Sequence, residues 1–215
     1  MEDIFPGLYR IAIRYKSVFS PINLTYLLDA FGSEGYAKLV PYPFFRPIDD
    51  HNVIFSGSIL QKGELIIDVD TKINSAGLKT RDGHKLIENM DVFNNKVFPM
   101  VDNKNAIWFY EFQAKMEFKL YKNLMKSLQL EGNIVENLKK FGKNMADDLN
   151  VSSIALWGNG NPDSDNFTEI RVDPSVLKNK MAVYKIIYRN SNWQTFSKNV
   201  KDVINNKSQL IDFLK

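Results

Sequence analysis

Hydrophobic and polar positions alternate most regularly in residues 107–120 of this chain. Successive side chains of a β-strand point to opposite faces, so this period of two predicts one long strand with an apolar face and a wet face. The apolar face consists of Trp108, Tyr110, Phe112, Ala114, Met116, Phe118 and Leu120, and the wet face of Glu111, Gln113, Lys115, Glu117 and Lys119. Other parts of the chain must cover the aromatic face, because burial of apolar surface drives folding.

The same alternation predicts shorter strands on both sides of the long strand. Residues 53–60 and 64–72 are expected to form a hairpin through Gln61, Lys62 and Gly63. Residues 74–77 are predicted to be a turn, and residues 94–105 a loop. The other predicted strands are residues 8–15, 36–42, 151–157, 167–173 and 181–189.

A hydrophobic period of 3.6 predicts the helices. Ser20 followed by Pro21 is typical of a helix start, so a helix is expected over residues 22–31. Further helices are predicted at residues 82–93, 124–128, 134–149 and 193–204, and a last turn at residues 210–214. We expect the helices near residues 133–149 and 193–204 to cover the aromatic face of the long strand.

These elements predict an α+β fold, with a mostly antiparallel sheet and amphipathic helices packed on one face. We expect one domain over residues 1–215, or two sub-halves, 1–120 and 121–215, that share a sheet. Residues 9–15 and 184–189 share a Tyr, Ile and Arg pattern, and each segment precedes an amphipathic helix. This similarity suggests a two-fold pseudo-repeat of strand–helix units. Chance is the alternative, because these residue types are common in strands.

The amino-acid composition excludes several classes of functional site but does not indicate a particular function. The 215 residues include 15 Phe, 9 Tyr and 3 Trp, which predicts an aromatic core. There is no Cys, so disulfides, thiolate metal sites and cysteine nucleophiles are excluded. The acidic start has no apolar run behind it, and no segment approaches the ~18–20 apolar residues of a membrane span. A soluble, cytoplasmic protein is therefore expected.

Asp68 and Asp70 are the best candidates for catalysis. They lie two residues apart in a predicted strand, so both carboxylates project from one face. Such a pair, alone or together with His84, would hold a divalent cation for phosphoryl or glycosyl transfer or hydrolysis. The alternative is the solvated face of a half-exposed strand, which has the same alternation.

A basic surface is the second candidate site. It consists of Lys115, Lys119, Lys122, Lys126, Lys139, Lys140 and Lys143. Lysines in such an arrangement could follow a nucleic-acid backbone. However, glutamates interleave with them, and the net charge of the chain is only +3, so a solvated face is the alternative.

The remaining polar motifs do not fit known sites. The loop at residues 158–166 lacks the glycine and glutamate that a calcium loop needs, and no phosphate-binding glycine motif is present. No cofactor is therefore predicted, and we expect a non-catalytic binding protein that acts through self-association, for example as a homodimer, or through a protein partner. The expected contact surface is where apolar residues fall on the polar strand faces, at Ile107, Phe109 and Ile66.

Overall fold

The structure is a computed structural model that describes residues 4–16, 22–39, 46–49, 52–54, 56–100, 107–119, 153–158, 161–174 and 181–207. The first part of the chain forms β1 (Ile4–Tyr15), α1 (Leu24–Gly32), β2 (Ala37–Lys38), β3 (Arg46–Asp49), β4 (Asn52–Ile54), β5 (Ser56–Lys62), β6 (Leu65–Asp70), β7 (Ser75–Thr80), α2 (Gly83–Val97) and a 3-10 turn (Phe98–Met100). The second part forms β8 (Ile107–Lys119), β9 (Ile154–Gly158), β10 (Phe167–Pro174), β11 (Met181–Asn190) and α3 (Trp193–Asn205).

Nine of the described strands form one sheet, in the order β2-β5-β6-β7-β1-β8-β11-β10-β9. Every neighbouring pair in this sheet is antiparallel, and β3 and β4 form a separate antiparallel pair. The predicted α+β fold with a mostly antiparallel sheet is therefore confirmed.

Apart from the short β2 at one end, the strand order is symmetric about the β1–β8 pair. β7, β6 and β5 follow on one side, β11, β10 and β9 on the other, and β7 and β11 lead directly into α2 and α3. The predicted pseudo-repeat instead matched residues 9–15 of β1 with residues 184–189 of β11. Those two strands hold different places in this order, so the pseudo-repeat is not confirmed.

The aromatic face of β8 is buried under α3. Phe112 is fully buried, and Phe196 of α3 lies 5.6 Å from the Tyr110 ring and stacks on Tyr188 at 5.7 Å. The predicted long strand and its cover by the helix at residues 193–204 are confirmed, whereas the second predicted cover, residues 133–149, lies outside the described residues. Trp108 differs from the prediction, with 41% of its surface exposed, because it precedes the part of β8 that α3 contacts.

Helix α2 also covers this face and is longer than predicted. Asp82 caps its start by accepting hydrogen bonds from the backbone N–H groups of His84 and Lys85. The helix continues to Val97, although residues 94–105 were predicted to be a loop. Val97 is fully buried, and its carbonyl accepts a hydrogen bond from the Tyr15 hydroxyl at 3.4 Å. Burial against the sheet thus extends the helix through a polar stretch.

Strand β7 occupies part of the predicted turn at residues 74–77. The turn lies earlier, at residues 71–74, and ends on Asn74, whose φ is +47°. Ser75, Ala76 and Gly77 are small residues that often form turns, but here they pair with both β6 and β1. Tertiary pairing therefore overrides their local preference.

The first helix and the strand after it also differ from their predicted bounds. Helix α1 begins at Leu24, because the Asn23 side chain accepts a hydrogen bond from the Tyr26 N–H at 3.0 Å. The predicted start at Ser20 and Pro21, part of the predicted strand at residues 36–42 and the last turn at residues 210–214 lie outside the described residues. None of the helices in the described ranges is both long and apolar enough to cross a membrane.

Buried tyrosines should make the fold sensitive to alkaline pH. Burial raises the pKa of Tyr110 to about 12 and also raises the pKa values of Tyr9, Tyr15, Tyr36 and Tyr184. In the unfolded chain these phenols ionise near pH ~10. Their contribution to stability is therefore fully present below pH ~10 and is lost as pH rises toward the folded pKa values. Urea midpoints should fall steadily above pH ~10, and the phenolate absorbance of these five tyrosines should appear only together with unfolding; ionisation of all nine tyrosines in a chain that stays folded would contradict this.

Candidate functional site

The sheet face opposite α2 and α3, called the polar face below, carries a network of charged side chains. Strand alternation places it on the even positions of β1 and the odd positions of β8 and β11. Its charged and amide members include Arg10, Arg14, Asp68, Asp70, Lys79, Glu111, Gln113, Lys115, Arg171, Asp173, Lys185 and Arg189. Several of these are buried, so each must find a partner.

Asp68 is held by a two-pronged ion pair with Arg10. The Arg10 Nε lies 3.1 and 3.0 Å from the two carboxylate oxygens, and Nη2 lies 2.7 Å from Oδ1. Lys79 approaches the other oxygen at 3.6 Å and donates to the Ser58 hydroxyl at 2.7 Å. Such a fork is the strongest arrangement of an arginine and a carboxylate.

Gly77 makes this ion pair possible. It lies on β7, the strand between those of Asp68 and Arg10. A Cβ at residue 77 would stand 2.6 Å from Asp68 Oδ1 and 2.7 Å from Arg10 Nη2. Only a residue without a side chain leaves room for the two charges to meet across β7.

The metal-site candidates do not converge. Asp68 is committed to Arg10, whereas Asp70 accepts hydrogen bonds from the Ser56 hydroxyl and the Lys72 N–H, each at 3.0 Å. His84 is exposed in the first turn of α2, which packs on the opposite face of the sheet. Within the described ranges no three His, Asp or Glu side chains are grouped to hold a metal ion. The solvated-face alternative also fails for Asp68, which is only 8% exposed.

Glu111 forms the second buried ion pair of the polar face. Its carboxylate lies 2.6 Å from Arg189 Nε and accepts a hydrogen bond from the Gln113 amide at 2.7 Å. Arg189 also donates to the carbonyl of Pro162. Glu111 was predicted to face water, but only 3% of its surface is exposed. The wet face of β8 is therefore wet only in part, at exposed Lys115 and Lys119.

Two guanidinium groups lie near the ring of Phe109. The Arg189 Cζ is 4.8 Å from the centre of its ring, and the Arg14 Cζ is 5.9 Å away. Phe109 is 2% exposed and Ile107 is 8% exposed, while Ile66 is half-buried. These three residues were expected to form a partner surface, but the chain buries Ile107 and Phe109 within itself, so they offer no exposed apolar patch.

Exposed apolar side chains occur instead on β9, at one end of the sheet. Leu156 is 60% exposed and Trp157 is 63% exposed. Among the described strands β9 pairs only with β10, so its outer edge has no strand beside it. The sequence of β9, Ile-Ala-Leu-Trp-Gly, contains no charge. An uncharged, exposed edge strand is a ready template for another strand.

The opposite end of the sheet is protected. Strand β2 has only two residues, Ala37 and the exposed Lys38. Short length and a lysine are the usual means by which proteins prevent pairing at a sheet edge. Within the described residues the two edges therefore differ, because β2 has two residues with a lysine whereas β9 has five uncharged residues.

A cleft lies beside Leu156 on the helix-covered face. It has a volume of about 430 Å³ and is lined by Thr168, Ile170, Ile186, Tyr188, Asn199, Asp202, Val203 and Asn206. Leu156 pairs with Ile170 and so shares this face. The exposed apolar surface of β9 thus continues between the sheet and α3.

The predicted basic surface is described only in part. Lys115 and Lys119 are exposed on β8. Lys122, Lys126, Lys139, Lys140 and Lys143 lie outside the described residues. Lys115 pairs across the sheet with Lys185, whose ammonium group lies 2.9 Å from Asp173. Beside Lys115, the positive charge of Lys185 is therefore paired with the carboxylate of Asp173.

No model of a known protein family matches this chain, and no curated protein matches it. The exposed pair Leu156 and Trp157 at the edge, and the neighbouring Arg14 and Arg189 on the polar face, were not singled out from the sequence. The sequence indicates the exposed edge only through two adjacent bulky apolar residues, Leu156 and Trp157, in a short strand. It does not show which strand ends the sheet, so these two residues could not be assigned to an edge.

The substitution Gly77→Ala tests whether the ion pair of Asp68 and Arg10 requires a glycine at residue 77. The added methyl group must displace Asp68 or Arg10 and should lower the free energy of unfolding by about 1–3 kcal/mol. Gly32→Ala is the matched control, because a Cβ at the end of α1 meets no atom within 4 Å. Urea denaturation measures both variants. Equal effects of the two substitutions would mean that the ion pair does not depend on Gly77.

Proposed function

We propose that this protein is a non-catalytic binding protein that acts by self-association, with β9 of one copy pairing with β9 of a second copy. The observation that carries the proposal is the outer edge of β9, which is exposed, apolar and without charge. Pairing would satisfy the backbone N–H and C=O groups of that edge and remove Leu156 and Trp157 from water.

The side chains of β9 suit an antiparallel pair around a two-fold axis at Leu156. In that register Leu156 lies opposite the second copy's Leu156, and Trp157 lies opposite the second copy's Ala155. On the helix-covered face two leucines meet beside the cleft, and on the polar face a large ring lies over a small side chain. A two-fold interface must be complementary to itself, and this strand has that property.

The other two functions have less support among the described residues. A metal-dependent enzyme needs free carboxylates, but Asp68 is engaged by Arg10 at 2.7 Å. Nucleic-acid binding needs a continuous basic surface, but Arg171 and Lys185 are both paired with the carboxylate of Asp173, at 2.8 and 2.9 Å. Self-association requires only groups that are already exposed.

Substitution of Leu156 by Lys tests the proposal. In the proposed register the two introduced ammonium groups would face each other at the axis, and like charges directly opposite destabilise a strand pair. We expect the wild type to be a dimer at micromolar concentration and Leu156→Lys to dissociate at least ~100-fold more readily. Sedimentation velocity over a range of concentrations measures this directly.

Val92→Lys is the matched control, because Val92 is 43% exposed on α2 and lies on another element. This variant should associate like the wild type. Both variants should keep the wild-type unfolding midpoint when all three proteins are compared at concentrations low enough for the wild type to be monomeric, since neither side chain is buried in the monomer. A wild type that stays monomeric at high micromolar concentration, or a Leu156→Lys variant that still dimerises, would refute the proposal.

A further inference from the structure

Arg14 differs from the other described arginines of the polar face, each of which is paired with a carboxylate. Arg10, Arg171 and Arg189 each have a carboxylate oxygen within 2.8 Å, supplied by Asp68, Asp173 and Glu111 respectively. In the described part of the chain no carboxylate forms an ion pair with Arg14. A partly buried cation without a counter-ion is unusual, because burial penalises its charge.

The unused edge of Arg14 has a defined shape. Its Nη1 donates to the carbonyl of Ile73 at 2.8 Å, whereas its buried Nε has no hydrogen-bond partner. Nε and Nη2 form one fork of parallel N–H groups on the guanidinium plane. Arg10, four residues earlier on the same face, uses this same pair of atoms to hold both oxygens of Asp68.

The surroundings of Arg14 favour a negative group. Its guanidinium shares the Phe109 ring with that of Arg189, at 5.9 and 4.8 Å from the ring centre. Burial lowers the pKa of Arg14 most; the charges of Glu111 and Asp70 oppose this, while the neighbouring charges of Arg189 and Arg10 lower the pKa further. An anion at the free edge would relieve both the desolvation and the repulsion between the arginines.

We propose that the Nε and Nη2 edge of Arg14, beside Phe109 and Arg189, binds a small oxyanion, either a carboxylate or a phosphate. Two oxygens of the ligand would accept hydrogen bonds from the Nε–H and Nη2–H groups of Arg14, in the way that the carboxylate of Asp68 binds Arg10. Arg14 is only partly buried, so part of its side chain is in contact with solvent. The site lies on β1, four strands from β9, and is independent of self-association.

Inorganic phosphate and acetate, each titrated at constant ionic strength against sodium chloride, are the two probes. Calorimetry measures affinity, and the arginine Nε–H resonances in a ¹H–¹⁵N spectrum report which guanidinium responds. We expect saturable binding of at least one probe. The Nε–H resonance of Arg14, which is identified by its absence from the spectrum of Arg14→Lys, should shift on binding. Arg14→Gln, which removes the charge, should weaken binding by at least about tenfold.

Two further variants make the result specific. Arg14→Lys keeps the positive charge but loses the pair of parallel N–H groups, so it should also bind the probe at least about tenfold more weakly. This variant keeps the proposal testable if Arg14→Gln does not fold. Arg81→Gln removes a charge from the exposed residue after β7 and should bind like the wild type. No saturable binding by the wild type, or equal binding by Arg14→Lys, would overturn the proposal and leave water as the partner of Nε.

Discussion

The burial of the aromatic face of β8 under α3 is the interaction on which the rest of the structure depends. Phe112 is fully buried at the centre of the sheet, and Phe196 of α3 packs between the rings of Tyr110 and Tyr188. Because side chains alternate strictly along a strand, fixing this face inward also fixes every other residue of β8 on the opposite face. The register of β1 and β11 then follows from their pairing with β8 on either side.

This constraint explains why the polar face contains buried charge. Glu111 cannot turn away from the centre of the sheet without moving Phe112 out of the core, so its carboxylate is held by Arg189 instead. Asp68 is in the same position on β6, and its pairing with Arg10 requires a glycine on the strand between them. Buried ion pairs of this kind contribute little net stability, but loss of one partner is costly. They make the arrangement of strands specific.

The central helices and strands could be predicted from the sequence, but which strands lie next to one another in the sheet could not. The alternation around Phe112 and the helical period around Phe196 identified the two central elements, because both are strong local patterns. Ser75 to Thr80 was missed as a strand, since its small residues are explained only by the ion pair that crosses Gly77. Asp68 was expected in solvent or on a metal, because alternation shows which face a residue takes but not whether that face is covered. The exposure of Trp157 depended on β9 being last in the sheet, which no local pattern encodes.

Amide hydrogen exchange of β8 tests the central claim most directly. If the β8 core face holds the fold together, the amides of Tyr110, Phe112 and Ala114 open only when the whole chain unfolds, and their exchange free energies should equal the global free energy of unfolding. The amides of α1, at the margin of the sheet, should exchange through smaller openings. Exchange of the β8 amides at a free energy well below the global value, while α1 stays protected, would contradict the account.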